Sequence, residues 1–414
     1  MGISNLLSVS TNFIDFAVDK IGIINLNFLG KIVQWLIEGV GIIGLGVVLF
    51  TVILKTIVLP LDVYSRVKSK QQSLLMKKMR PQMEKLQKQY ANDSQMYNQK
   101  VMELQKKSGY SIFSACVPTI VSLVIFMLVF SSFSTYSQYA NLTTYNNMVD
   151  AYNASVTEYV LSDTNSNGFL IEGEDEALGT IAYRVDFDKF VSVYDGEEKL
   201  DNFDALSEAD KIEIVRNYVR ANAREAAATY YRSMRKTKGG VKFLWIGNIW
   251  YPDSMLNKEV PNFSKFSSSI SRAVGEGVDS SYEESYNEVT FNLTSEKKTY
   301  NGYFVLIVLA IGLMVVQQLI MMRSQKDANE LSSVDGSAAT TNKWMMIMMP
   351  VIYGIFSFFY SAAFSIYMIT NTCYSLITTL IINKAMDVSF AKKEENEELQ
   401  TNAKHVTNNR KRLK

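Results

Sequence analysis

Apolar residues gather in four long runs separated by strongly polar stretches. Residues 42–61 (IIGLGVVLFTVILKTIVLPL) form a twenty-residue run with a single charge, Lys55. Residues 112–133 and 302–322 contain no charge, and residues 344–383 are forty uncharged positions in a row. At about 1.5 Å of rise per residue, twenty helical residues cross a hydrocarbon core roughly 30 Å thick. The forty-residue run is long enough for a hairpin of two spans turning near Ser361-Ala362-Ala363. Continuous runs of this length predict helices rather than barrel strands, whose apolar positions alternate. The expected fold is an all-α polytopic membrane protein with five transmembrane helices, a cytoplasmic helical hairpin and a mainly helical (α+β) extracytoplasmic insertion.

Between the runs the pattern changes period. Phe28, Ile32, Trp35, Leu36 and Val40 lie at helical spacing and predict an amphipathic helix on the membrane surface or packed on other protein. Leu75, Met79, Met83, Leu86 and Tyr90 draw one apolar stripe, and Tyr97, Val101 and Leu104 draw a second beyond the turn signal Ala91-Asn92-Asp93-Ser94. These predict two antiparallel helices, with Pro81 kinking or dividing the first. Residues 180–194 alternate apolar and polar positions and predict strands. Ser207–Lys238 is rich in helix formers, and Ser207 with Asp210 resembles a capping box. Residues 151–162 are poor in strong helix formers.

Composition, 48% hydrophobic and 20% charged, fits a membrane protein with a sizeable wet portion. Charge then orients the chain. Residues 62–110 carry eleven basic and four acidic residues, whereas residues 141–300 carry 17 basic and 26 acidic. The tail 384–414 holds eight basic against five acidic residues. Basic residues near span ends mark the cytoplasmic side. The resulting layout has an outside N-terminal segment over 1–41, a span over 42–61 and a cytoplasmic hairpin over 62–110. A second span over 111–134 leads to an outside domain over 135–301, then a third span over 302–322. A cytoplasmic loop over 323–343, spans over 344–361 and 364–383, and a cytoplasmic tail over 384–414 complete it. Residues 1–27 lack the pattern of a cleaved leader.

Catalytic chemistry has few carriers. The single histidine, His405, stands in the polar tail, and Cys116 and Cys373 both fall in apolar runs. Histidine triads, histidine zinc clusters and an external disulfide framework are therefore not expected. One metal pattern occurs outside: Asp163, Asn165, Asn167-Gly168 and Glu174 follow the order of an EF-hand-type calcium loop. An accidental match in an Asx-rich loop accounts for it more simply, since residues 151–162 make a poor entering helix. Lys55 also has two readings. A charge inside a span costs at least about 2.5–3.5 kcal/mol on insertion scales and marks a functional position. Alternatively its stem snorkels to the interface, since Leu61 is only six residues on.

Several motifs in order resemble the YidC/Oxa family of membrane protein insertases. They are the span ending Lys55-Thr56-Ile57-Val58-Leu59-Pro60-Leu61, the basic hairpin with Met79-Arg80-Pro81-Gln82-Met83, and Cys116-Val117-Pro118 opening the next span. Phe243-Leu244-Trp245-Ile246 with Pro252-Asp253, Gln317-Gln318, Met348-Met349-Pro350, Tyr367 and Thr370-Asn371 follow. The likeness covers roughly residues 28–134 and 240–386. Departures include Lys55 where the family usually has arginine, Ser111-Ile112 for its Asn-Pro, and Ser361-Ala362-Ala363 for its Pro-Ala-Gly turn. The resemblance implies an insertase that hydrolyses nothing and requires no cofactor, acting on nascent membrane proteins in the bilayer, beside the ribosome and Sec translocon and without DNA. It implies a polar groove, open to the cytoplasm and lipid, with Lys55, Thr51, Ser122, Gln317, Gln318, Thr370 and Asn371 as its residues. The hairpin residues Arg66, Lys77, Lys78, Arg80, Lys85 and Lys88 would receive the substrate. The implied location is a bacterial plasma membrane, with the N-terminus outside and the C-terminus inside. A small-solute transporter or channel, and a membrane-anchored scaffold with a large ectodomain, are the competing classes.

Overall fold

The computed structural model describes residues 13–16, 18–23, 25–108, 112–175, 180–194, 203–236, 240–274, 278–296, 300–330 and 337–412. The chain divides into two compact units, the first built from residues up to Ile43 together with Ser132–Tyr303, the second from Gly44–Ser131 and Phe304 onward.

The first unit mixes helices with a small sheet. It contains β1 (Phe13–Ile14), α1 (Phe28–Glu38), the later part of a long helix α4 (Ile112–Thr157), β2 (Leu170–Asp175), β3 (Thr180–Val185), α5 (Phe187–Val193), α6 (Glu208–Lys236), α7 (Phe263–Val274) and α8 (Glu283–Ser295). The sheet is antiparallel with order β1-β3-β2, so β3 is central and pairs Tyr183 with both Ile14 and Glu172. The N-terminal segment therefore supplies an edge strand to the sheet of the first unit rather than standing apart from it. The alternation over 180–194 gives only one strand. Asp186 accepts a hydrogen bond from the Lys189 amide and starts α5, so the rest of that segment is helical. Residues 151–157 are also helical, because α4 does not stop at the end of the apolar run but continues to Thr157. Here buried Tyr152 and Val156 outweigh weak local propensity.

α6 begins where its cap predicts. Ser207 Oγ accepts from the Asp210 amide at 3.2 Å and donates to the Asp210 carboxylate at 2.6 Å. Ile212, Val215, Val219, Ala223, Ala227 and Tyr231 form its buried stripe, at intervals of three and four residues. α8 packs alongside, and Arg224 grips Glu288 through two hydrogen bonds of 2.9 and 2.6 Å. Tyr152 donates to the same carboxylate. Aromatic packing fills the remainder: Phe266 stacks on Tyr286 at 4.5 Å, and Phe190 meets Phe169, Phe203 and Tyr218.

The second unit is helical. Its elements are α2 (Ile43–Gln89), α3 (Ser94–Lys107), the beginning of α4, α9 (Val305–Glu330), α10 (Ser337–Phe359) and α11 (Ala362–Arg412). α2 is the main departure from expectation. The apolar run and the first hairpin helix are one 47-residue helix that retains both Pro60 and Pro81. Each proline removes one backbone hydrogen bond, yet neither divides the helix. Asp93 caps α3 by accepting from the Met96 amide, and Met79, Met83, Tyr97 and Val101 bury the seam between α2 and α3. The hairpin 344–383 turns at Ser361, which follows α10 and precedes α11. Ala362 and Ala363 are fully buried there. Phe130 lies 5.5 Å from Phe356, 4.6 Å from Tyr360 and 5.2 Å from Phe364, tying α4 to both arms of that turn. α9 packs against α10 and α11, and a Cβ at Gly354 would come within 2.9 Å of Ile311, so glycine allows the close approach of α9 and α10. Among the described residues, Ile43–Lys68 and Ala362–Lys392 are long and apolar enough to cross a membrane, and Val305–Met321 and Pro350–Phe359 are shorter apolar helices.

Candidate functional site

Four polar residues in the first half of α2 fall on one helical face. Thr51, Lys55, Asp62 and Arg66 are separated by four, seven and four residues, intervals that return to nearly the same side of a helix at about 100° per residue. Lys55 is half-buried, as are Asp62 and Arg66. Asp62 and Arg66 both act on Lys55 electrostatically, with opposite signs. Asp62 stands about 10 Å along the axis from Lys55. At an effective dielectric near 20, attraction across that distance is about 1.5 kcal/mol, less than the insertion cost of a lysine, about 2.5–3.5 kcal/mol. Arg66 then returns positive charge to the same face. The face therefore remains positive, suited to attracting carboxylates.

α11 lies on the adjoining side of α2. Thr56 and Tyr374 share a hydrogen bond at 3.1 Å, and Lys70 contacts Asp387 at 2.7 Å four helical turns further on. Tyr374 belongs to a side of α11 that also carries Tyr367, Thr370, Asn371 and Thr378 at helical spacing. Asn371, Gln317 and Gln318 are half-buried. Thr51 is fully buried, and its hydroxyl donates to the Val47 carbonyl at 2.7 Å. Thr370 donates likewise to Ile366, and Thr378 to Tyr374. These hydroxyls thus satisfy their donors on their own helix, as such groups do in apolar surroundings, and offer only acceptor lone pairs outward. The side chain of Ser122 lies outside the described residues.

On the hairpin, Lys78, Lys85 and Lys88 are exposed, and Arg80 pairs with Glu84 at 3.0 Å on the outer face. The side chain of Lys77 lies outside the described residues. Thr56, Tyr374 and the Lys70–Asp387 pair were missing from the sequence reading, since nothing local marks partners more than 300 positions apart. Asp62 was missing too, although its interval of seven from Lys55, which places both on one face, was the signal that could have found it.

The calcium-type loop has another structural use for one of its donors. Asn165 Nδ2 donates to the carbonyls of Glu158 and Val160, closing the loop on itself. Glu174 falls in β2, paired with Ile181, and its side chain is outside the described residues. Among the described residues no three His, Cys, Asp or Glu side chains converge to hold a metal.

Comparison with known proteins bears on the whole arrangement. A family profile described as 60Kd inner membrane protein matches residues 35–162 and 230–391. The gap between them holds β2, β3, α5 and most of α6. The chain is 34% identical over 103 residues to a protein of Fusobacterium nucleatum subsp. nucleatum called membrane protein insertase YidC, covering 25% of this chain and 48% of that one. It is 29% identical over 116 residues to a protein of the same name from Caldanaerobacter subterraneus subsp. tengcongensis, covering 27% and 53%. The chain spans about half the length of the curated relatives it matches. No solved structure matches. With the profile covering the half-buried lysine, the hairpin and the paired α10–α11 turn, the chain belongs to the 60Kd inner membrane protein family, the YidC/Oxa group of membrane proteins.

Proposed function

We propose that this protein inserts nascent membrane proteins into the bilayer and helps them fold, making and breaking no covalent bond. The observation that carries this reading is the half-buried, incompletely neutralised positive face of α2 inside an apolar helix. A substrate's hydrophilic tail, bearing acidic groups, would be drawn part-way into the membrane beside Lys55, where low dielectric strengthens the attraction. Half-buried Gln317, Gln318 and Asn371, with the outward lone pairs of Thr370, would keep that groove wet, joined by Ser122, whereas fully buried Thr51 would stand behind its wall. The apolar part of the substrate would pass along the helices into lipid. The exposed lysines of the α2–α3 hairpin would receive the chain first.

In this reading the protein sits in a bacterial plasma membrane and crosses it five times, with its N-terminus outside and its C-terminus in the cytoplasm. The ribosome and Sec translocon are its partners, and calcium at the Asp163–Glu174 loop is not required. Reconstitution tests it directly. Purified protein in liposomes is expected to insert a short single-span test protein, assayed by protection from external protease. Solute flux without insertion would assign the protein to the transporter class and end this reading.

A further inference from the structure

The first unit carries a buried polar knot beside the point where the chain enters α9. Asn301, fully buried, accepts from the Asn248 amide at 2.6 Å and donates to the carbonyls of Asn248 at 2.9 Å and Pro252 at 2.8 Å. Its own amide donates to Asn257, and its carbonyl accepts from Gly247. The Tyr303 amide donates to Asp253 Oδ1 at 2.6 Å, and Gly302 leaves no room for a side chain against that carboxylate. Two loops are thereby fixed to the residues just ahead of α9. One is the Phe243–Ile246 turn, with Leu244 in the left-handed region at its tip, and the other is Ser254–Asn257.

The side chains these loops present are the unusual feature. Leu244 is 61% exposed and Leu256 is 70% exposed, with Met255, Tyr300 and Tyr303 also in the open. Among the described residues, nothing covers more than a part of the Leu244 and Leu256 side chains at these loop tips. Nearby acids are withdrawn, since Asp253 and Glu259 are buried, whereas Lys242 and Lys258 are exposed. Tyr303 stands two residues before Val305, where an uncharged apolar stretch begins. Apolar tips, tyrosines and outward lysines at the head of a span are the mix that membrane interfaces favour.

We infer that the loop tips Leu244 and Met255-Leu256, with Tyr300 and Tyr303, are seated in the outer leaflet of the bilayer, at the boundary between headgroups and acyl chains. The seat requires α9 to be a span, and it is independent of insertase activity. The knot positions the tips, and the exposed Lys242 and Lys258 favour anionic headgroups.

Site-specific fluorescence on the full chain tests this. With Cys116 and Cys373 changed to serine, Leu256→Cys and Leu244→Cys variants are labelled with an environment-sensitive dye. They are reconstituted in phosphatidylglycerol and phosphatidylethanolamine vesicles containing lipid with a nitroxide high on its acyl chain. Thr157→Cys, exposed at the far end of α4 about 37 Å of helix beyond Ser132, is the outside reference. Val308→Cys, exposed on α9, is the span reference. Dyes at 244 and 256 are expected to be quenched several-fold more than at 157. Quenching at 256 and 244 equal to that at 157, with 308 strongly quenched, overturns the seat. No quenching at 308 overturns it through the span on which it depends. Burial of the dye only at high protein-to-lipid ratio, or only after a client is added, assigns the tips to a second copy or to a client and overturns it too.

Discussion

Replacing Asn301 by alanine is the sharpest test of how the first unit is held together. The substitution removes three side-chain hydrogen bonds and strands the buried Asn248 amide, while the Asn248 carbonyl keeps the Tyr251 amide as its donor and the Pro252 carbonyl is released. A buried polar group left without a partner costs about 1–3 kcal/mol. Pro252 is only half-buried, so its carbonyl regains water and adds little. One fully stranded group gives a loss of about 2 kcal/mol. For a domain of this size, a loss of 1 kcal/mol lowers the melting temperature by about 2–4 °C, so the expected drop is about 4–8 °C. Trp250 is a built-in reporter. Its amide donates to Asn248 Oδ1, and its ring packs edge-on against Tyr136 at 5.1 Å. Thermal unfolding of the full chain in detergent, followed by tryptophan fluorescence, measures the shift. Asn301→Asp separates hydrogen bonding from side-chain volume. Its carboxylate would face two carbonyl oxygens, so the variant is expected to be at least as unstable at neutral pH. Because that environment raises the folded-state pKa, its stability should recover as the pH falls through the raised value. A melting shift below about 2 °C for alanine, or an aspartate variant indifferent to pH, would show that the knot does not carry this load.

Lys55→Arg should retain insertion activity while Lys55→Glu loses it at equal membrane levels, and equal activity of the two removes the electrostatic role. Met83→Ala empties a fully buried site in the α2–α3 seam, a change that costs about 2–5 kcal/mol, so trypsin cleavage within the hairpin should accelerate at least tenfold while the spans stay intact. Burial pushes the Glu259 carboxyl above its ordinary range, against the opposing pull of Arg235 2.8 Å away. Its stabilising contribution is therefore full below the unfolded-state value and is lost as pH rises through the raised one. Glu259→Gln should flatten that part of the melting-temperature profile between pH 4 and 8, and unchanged curves would refute the assignment. Calcium at about 1 mM should leave the melting temperature unchanged, since Asn165 is committed to its own loop, and a rise abolished by Asp163→Ala would reverse that view.

The legible parts of the fold were those written in periodicity. The seam residues Met79, Met83, Tyr97 and Val101, the cap at Ser207 and the turn at Ser361 all follow from local spacing and local chemistry. Helix ends were harder, because α2 and α4 continue past the apolar runs without a stop signal. Leaving the apolar run changes which solvent a helix faces, not whether its backbone bonds are made. The strand pairing of Phe13–Ile14 with Tyr183–Arg184 spans 170 positions, and no local pattern announces it. At the candidate site, Lys55 was conspicuous because a charge in an apolar run is costly. Tyr374 looked like an ordinary span residue until Thr56 was in place beside it, whereas Thr51 entered only through the family resemblance.

The continuity of α2 has a mechanical consequence. From Lys55 to Gln89 the helix runs about 50 Å without a joint of loop residues. A tilt of one degree about Lys55 displaces the hairpin end by nearly 1 Å. A pull on the hairpin is therefore transmitted as torque at the charge, and reorientation of the charge is amplified at the hairpin. Pro60 and Pro81, each lacking one rung of the backbone ladder, are the compliant points of this lever. Pro60→Ala would stiffen it between its two working ends.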